Sequence, residues 1–244
     1  MVNINELRKK YNEINKSGGN NEEFLKKFLI MEEGTTVVRI LPWRDEDSEF
    51  YSETAIHRID DRNYHCPKVK GDPCPLCDLS YKFWNTKTKE NQDLARSIRS
   101  YKRFYLNAVE RASGDVKILS MGVKLFSKIL DCFFDEDYGN ISDLKDGHDF
   151  KIIKDSQGQW PNYDKSAPKP QKSVAGSDSE IATWMDELHD IHNFVKVASY
   201  EDLQNICISI TGEGEPSPVV ETSSTDDDSD DESYLSHLKG LGSE

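Results

Sequence analysis

Arg99-Ser100-Tyr101-Lys102-Arg103-Phe104-Tyr105-Leu106-Asn107-Ala108-Val109 decides the reading of this chain. From 101 to 109 it is rich in aromatic and aliphatic residues and has no Gly or Pro, which predicts a β-strand. Over its first seven residues cations and rings interleave. Lys and Arg pair with phosphates, and rings stack on bases; neither term depends on base sequence. A duplex hides its base faces, so rings set among cations favour a single strand.

The neighbouring segments extend a β pattern. Residues 35–41 (Thr-Thr-Val-Val-Arg-Ile-Leu) predict a strand that Pro42 ends, and 50–59, 116–121 and 149–154 predict others. Residues 122–134 read as a helix, with Val123, Phe126, Ile129, Leu130 and Phe133 on one side. A helix is expected from Asp78 to Trp84, and two more over 179–188 and 199–206 to close the core. The Pro- and Lys-rich stretch 165–173 reads as extended surface. Short strands punctuated by Gly and Pro indicate a mainly β fold with helices: a small OB-fold-like barrel elaborated by a metal-binding subdomain at about 55–90.

Charge divides the chain. The formal net charge is −14, from 31 Lys and Arg against 45 Asp and Glu. Residues 56–130 nevertheless carry 15 basic and 8 acidic side chains, a local charge of +7. Residues 213–244 carry ten acids and one Lys, a local charge of −9. A basic body with a detached acidic end points to a polyanion partner. The end is rich in Pro, Ser, Thr and acid, so 213–244 is expected to be a disordered tail. It closes on the small amphipathic piece Tyr234, Leu235, Leu238 and Leu241, suited to docking on a partner protein. At the other end, 4–16 predicts a short helix with the cluster Arg8, Lys9 and Lys10, set off by Ser17-Gly18-Gly19-Asn20. Residues 1–20 therefore read as an arm, and 21–212 as the core. No apolar run is long enough to span a membrane, and the start lacks the pattern of a secretory signal, so a reducing intracellular setting is expected.

Three of the five cysteines cluster: Cys66, Cys74 and Cys77. An odd, clustered set suits a metal better than a disulfide framework. Cys74-Pro75-Leu76-Cys77 alone would fit a redox pair, but no βαβ unit precedes it. Three thiolates need a fourth ligand for a closed tetrahedral zinc site. His57 lies nine residues before Cys66 on a predicted strand. His65 adjoins Cys66, and neighbours in extended chain point to opposite faces, which favours His57 and leaves His65 as the alternative. One structural Zn2+ on His57, Cys66, Cys74 and Cys77 is the expected cofactor.

Residues expected to contact DNA are Arg99, Tyr101, Lys102, Arg103, Phe104 and Tyr105 on the central strand, with Tyr81, Lys82, Trp84 and Lys87 after the zinc loop. Lys124 and Lys128 on the helix and Arg39 and Arg58 on the earlier strands complete the set. Two other readings remain: an interaction adaptor with an incidental basic face, and a nucleic-acid-processing enzyme. A deaminase would place His-x-Glu before its Pro-Cys-x-x-Cys, and here the histidines read His57-Arg58-Ile59 and His65-Cys66-Pro67. The chain is therefore expected not to be an enzyme.

Several stretches resemble the single-strand-binding protein family of T4-like bacteriophages, the gene 32 helix-destabilising proteins. They are Val37-Val38-Arg39-Ile40-Leu41-Pro42, the His57, Cys66, Cys74-Pro75-Leu76-Cys77 order, Lys102-Arg103-Phe104-Tyr105-Leu106-Asn107, Gly122-Val123-Lys124-Leu125-Phe126-Ser127-Lys128-Ile129 and Asn162-Tyr163-Asp164-Lys165-Ser166. Tyr105 and Phe126 stand where that family has Trp. The resemblance covers roughly residues 35–170. It implies an OB-fold core with a zinc subdomain, an arm for self-association along DNA, and a tail that recruits replication and recombination proteins such as polymerase, helicase loader or recombinase. It also implies action in the cytoplasm of an infected bacterial host. The Arg8-Lys9-Lys10 cluster sits deeper than the family's basic cluster, and the zinc loops are tighter.

Overall fold

The computed structural model describes residues 23–44, 49–60, 62–155 and 161–212. The expectations for the arm and for the tail beyond Gly212 lie outside the described residues. The chain divides into two compact units, Met1–Cys207 and Ile208–Glu244, and of the second only the last turn of a helix is described. Among the described residues no helix is long and apolar enough to cross a membrane.

Seven strands form one antiparallel sheet: β1 (Gly34–Ile40), β2 (Tyr51–Ile59), β3 (Arg62–His65), β4 (Ser100–Glu110), β5 (Val116–Met121), β6 (Phe150–Lys154) and β7 (Ala167–Pro168). The order is β3-β2-β4-β1-β6-β7, with β5 also on β4. The 11-residue β4 organises it. One edge pairs first with β2 (His57↔Ser100 to Tyr51↔Leu106) and then with β1 (Ile40↔Ala108 to Val38↔Glu110). The other edge pairs with β5 from Phe104↔Met121 to Val109↔Val116. One long strand shared by three others is how a small sheet curls on itself, and the fold is OB-fold-like with added helices.

Among the described residues, after a short helical piece at 23–25, the helices are α1 (Pro75–Asn85), α2 (Lys89–Ile98), α3 (Val123–Phe134), α4 (Asp178–Asp186) and α5 (Tyr200–Thr211). In α1, Pro75 at the first position spends no needed N–H, and Cys74 precedes it in extended conformation. In α2 the Thr88 side chain caps the start by accepting from the Asn91 N–H. In α4, Ser177 and Glu180 form a capping box. Just before it, Gly176 passes so close to Trp184 that a Cβ there would sit 2.7 Å from the indole. Trp184 in turn donates to the Gly114 carbonyl at 2.9 Å.

Alternation along β4 sends residues to two different cores. Phe104, Leu106 and Ala108 join Val38, Ile40, Leu119 and Met121 under α3, which buries Leu125, Phe126, Ile129 and Cys132. Phe104 and Phe126 stack with centroids 4.0 Å apart at 10°. The opposite face does not meet water. Tyr105 packs with Ile118, Ile191, Phe28 and Phe194, and Val109 with Leu41, Trp184 and Leu188. Asn107 and the His189 backbone exchange two hydrogen bonds of 3.0 Å, which fasten the returning chain across the sheet. That chain ends at the β3 edge, where Val197 bridges His65 and the Ala198 N–H donates to the His65 carbonyl at 3.1 Å.

Candidate metal centre and nucleic-acid interface

β2 carries His57 into the interior, where it has no exposed surface. A 3-10 turn, Pro67–Lys70, follows Cys66 and ends on Gly71 in the left-handed region, φ 85°. That reversal returns the chain to Cys74, which leads into α1 and delivers Cys77 from its first turn. One ligand atom from each of His57, Cys66, Cys74 and Cys77 lies within 4.8 Å of the others. Cys66 and Cys77 sulfurs are 3.6 Å apart, and His57 Nε2 is 3.3 Å from Cys74 Sγ and 3.6 Å from Cys77 Sγ. Zinc with bonds of about 2.3 Å to sulfur and 2.0–2.1 Å to nitrogen has tetrahedral edges of about 3.8 and 3.6 Å, so these residues fit that ion. His57 Nδ1 donates to the Ile98 carbonyl at 2.7 Å, which fixes the tautomer that turns the Nε2 lone pair inward.

The crowding of the sulfurs also suits a cation. Hydrogen bonds from Cys74 and then Cys77 pull the Cys66 thiol down to about 3. Cys74, beside that sulfur, is pushed far up by its hydrogen bonds to Cys66 and Cys77 and by burial. A divalent ion held between these sulfurs would bind them as thiolates. His65 points elsewhere: its Nδ1 lies 3.2 Å from the Thr54 hydroxyl.

The residues expected at a DNA surface fall into three groups: exposed, half-buried and buried. Exposed are Arg58, Tyr81, Lys82, Trp84, Lys87, Arg99, Tyr101, Lys102 and Lys124. Tyr81, Trp84 and Tyr101 are 47%, 45% and 40% exposed, unusual for rings this large. Arg103 and Lys128 are half-buried, and the Arg103 guanidinium donates to the Ser120 hydroxyl at 3.1 Å.

Three expectations are corrected. Arg39 is fully buried and donates to the carbonyls of Asp143 and Ser173, with Asp149 at 3.6 Å. It is a core cation, not a phosphate contact. Phe104 and Tyr105 are 6% and 5% exposed, because β4 is covered on both faces at that point. Neither ring has a face free to stack on a base. The helix expected from Asp78 to Trp84 lies within α1, which carries Tyr81 and Trp84. Two contributors were missed. Arg96, on the unforeseen α2, lies 5.2 Å over the Trp84 ring, and Ser100 sits 3.8 Å from Cys77 Sγ.

The gp32 DNA binding protein like family matches residues 32–210. The chain belongs to that family. Membership in it makes this gp32-like chain a DNA-binding protein without catalysis, and the matched span includes the whole metal cluster and all of β4. A comparison with curated proteins found no match.

Proposed function

We propose that this gp32-like protein coats and protects single-stranded DNA during phage replication, recombination and repair, in the cytoplasm of the infected bacterium. The observation that carries the reading is that Tyr81, Trp84 and Tyr101 are exposed and that Lys82, Lys87, Arg99 and Lys102, near them in sequence, are exposed too. An exposed ring costs hydration, and a base stacked on it recovers about 1–3 kcal/mol. The cations hold the phosphates and release counterions. Neither contact reads a base edge, which suits a protein that covers any sequence.

The metal is zinc in a structural role. A cluster of three Cys and one His is closed and leaves no position for substrate. Arg58 and Lys124, with the half-buried Arg103 and Lys128, extend the phosphate track. The arm 1–20, through Arg8, Lys9 and Lys10, joins neighbours along the strand. The acidic tail 213–244 competes with DNA for the basic surface at low salt. When freed it offers Tyr234, Leu235, Leu238 and Leu241 to replication and recombination proteins such as a polymerase, helicase loader or recombinase.

The test is fluorescence anisotropy with a labelled dT oligomer and a duplex of equal length over a salt series. Tighter binding to the single strand, with log K falling linearly in log salt, supports the reading. Equal affinity for the two would overturn it.

A further inference from the structure

Residues 98–101 tie the metal cluster to the exposed part of β4 at every second step. The Ile98 side chain is buried, and its carbonyl takes the His57 Nδ1 proton. Ser100 pairs with His57 across the strands, and its hydroxyl lies 3.8 Å from Cys77 Sγ. A metal-bound Cys77 is a thiolate with no proton to give, so the Ser100 O–H is then the donor. Between and beyond these anchors stand Arg99 and Tyr101, whose side chains are exposed. Arg99 also marks the junction: its N–H closes α2 on the Ala95 carbonyl at 2.9 Å, and β4 begins at the next residue.

We propose that Ser100 is a positioning residue, holding Cys77 through its hydroxyl so that the metal centre sets the pose of Arg99 and Tyr101. The proposal rests on the DNA-binding reading above. Ser100 touches no DNA; it faces the cluster, while the residues on either side face out. Alternation in a strand makes the two directions inseparable. Turning one residue toward the thiolate turns its neighbours away from it, and pairing to β2 fixes their depth. Outer hydrogen bonds of this kind weigh about 10–100-fold in metal affinity when lost.

The experiment uses the full-length, zinc-loaded protein and the variants Ser100→Ala, Ser100→Thr and Arg99→Ala. Each is measured for zinc affinity by competition with a chromophoric chelator, and for dT-oligomer affinity across a salt series. Ser100→Ala is expected to weaken zinc about tenfold. It is expected to weaken DNA about fivefold, less than zinc because the effect reaches DNA only through Arg99 and Tyr101, with the salt slope unchanged. Ser100→Thr, which keeps the hydroxyl, restores both, whereas Arg99→Ala lowers the slope. Ser100→Ala equal to the parent in both assays overturns the proposal, as does weaker zinc with unchanged DNA affinity. A reduced slope in Ser100→Ala would mean a direct phosphate contact, and also overturns it. Should Ser100→Ala fail to fold, amide exchange of 99–103 in the unaltered protein decides. Faster exchange on chelation supports the coupling, and unchanged exchange ends it. A parent that ignores the dT oligomer removes the DNA-binding reading and the proposal with it, while the zinc assay still reports whether Ser100 holds Cys77.

Discussion

His57 Nδ1 lies 2.7 Å from the carbonyl oxygen of Ile98, and this contact joins the metal cluster to the end of α2 and the start of β4. The imidazole is fully buried, so both nitrogens must be used. One donates to the carbonyl and the other faces Cys74 and Cys77. His57→Ala removes a ligand and strands a buried carbonyl. Zinc affinity should fall by more than about 100-fold, beyond the loss expected for an outer contact. Thermal melts with and without zinc are the check: the parent's melting temperature should rise with zinc and the variant's should not.

Asp149 gathers three cations, with Arg111 at 2.6 Å, Lys169 at 3.0 Å and Arg39 at 3.6 Å. Burial pushes its carboxyl up, but the hydrogen bonds from Arg111 and Lys169 and their charges outweigh that and hold it below 3.8. Its contribution is complete above the unfolded value and is lost as pH falls through the lower folded one. Asp149→Asn leaves the buried Arg39 uncompensated and should cost about 3–5 kcal/mol at neutral pH. The stability gap between variant and parent should narrow below about pH 4, the range in which an ordinary carboxylate protonates. Urea titrations at pH 7 and pH 3 measure it; a constant gap would show that the carboxylate is not the source.

Tyr101 and Phe104 lie three residues apart on β4 and should fail in opposite ways. Tyr101→Ala removes an exposed ring, so stability should stay within about 0.5 kcal/mol of the parent. Its DNA affinity should drop by about 1–3 kcal/mol with the salt slope intact. Phe104→Ala opens the stack on Phe126 and should cost about 3–5 kcal/mol of stability. Denaturation curves paired with dT titrations separate the two; matching profiles would refute the assignment of faces.

Ending the chain at Gly212 removes a local charge of −9. If that charge competes with phosphates, truncation should raise DNA affinity, most at low salt where screening is weakest. Affinities of full and truncated chains that coincide at 20 mM salt, on the order of a 20 Å Debye length, would reduce the tail to a solubilising appendage.

Much of this fold is legible in the sequence because local pattern and burial agree. The strand read at 116–121 is β5 itself, that read at 35–41 is shifted by one residue from β1, and that read at 50–59 begins one residue before β2. What escaped depends on distant partners. Arg39 looks like a surface cation until Asp149, 110 positions later, closes on it. Tyr105 looks available until Phe194 returns across the sheet with its centroid 5.0 Å away. α2 is almost wholly polar, with Leu94, Ala95 and Ile98 as its slight apolar stripe, and Thr88 as the one cap that signals it. The four residues of the metal cluster were legible because thiolate chemistry restricts spacing more tightly than packing does. Ser100 was not, since a serine in a strand announces nothing until the structure sets it beside Cys77.

The account places a single strand across the exposed rings and cations of α1 and the start of β4. Amide hydrogen exchange of the full-length, zinc-loaded protein with and without a saturating dT oligomer tests this most directly. Slower exchange concentrated at 81–87 and 99–103, with the covered stretch 104–109 unchanged, is the result predicted. Protection confined to other surfaces, with 81–87 and 99–103 exchanging as in the free protein, would contradict it.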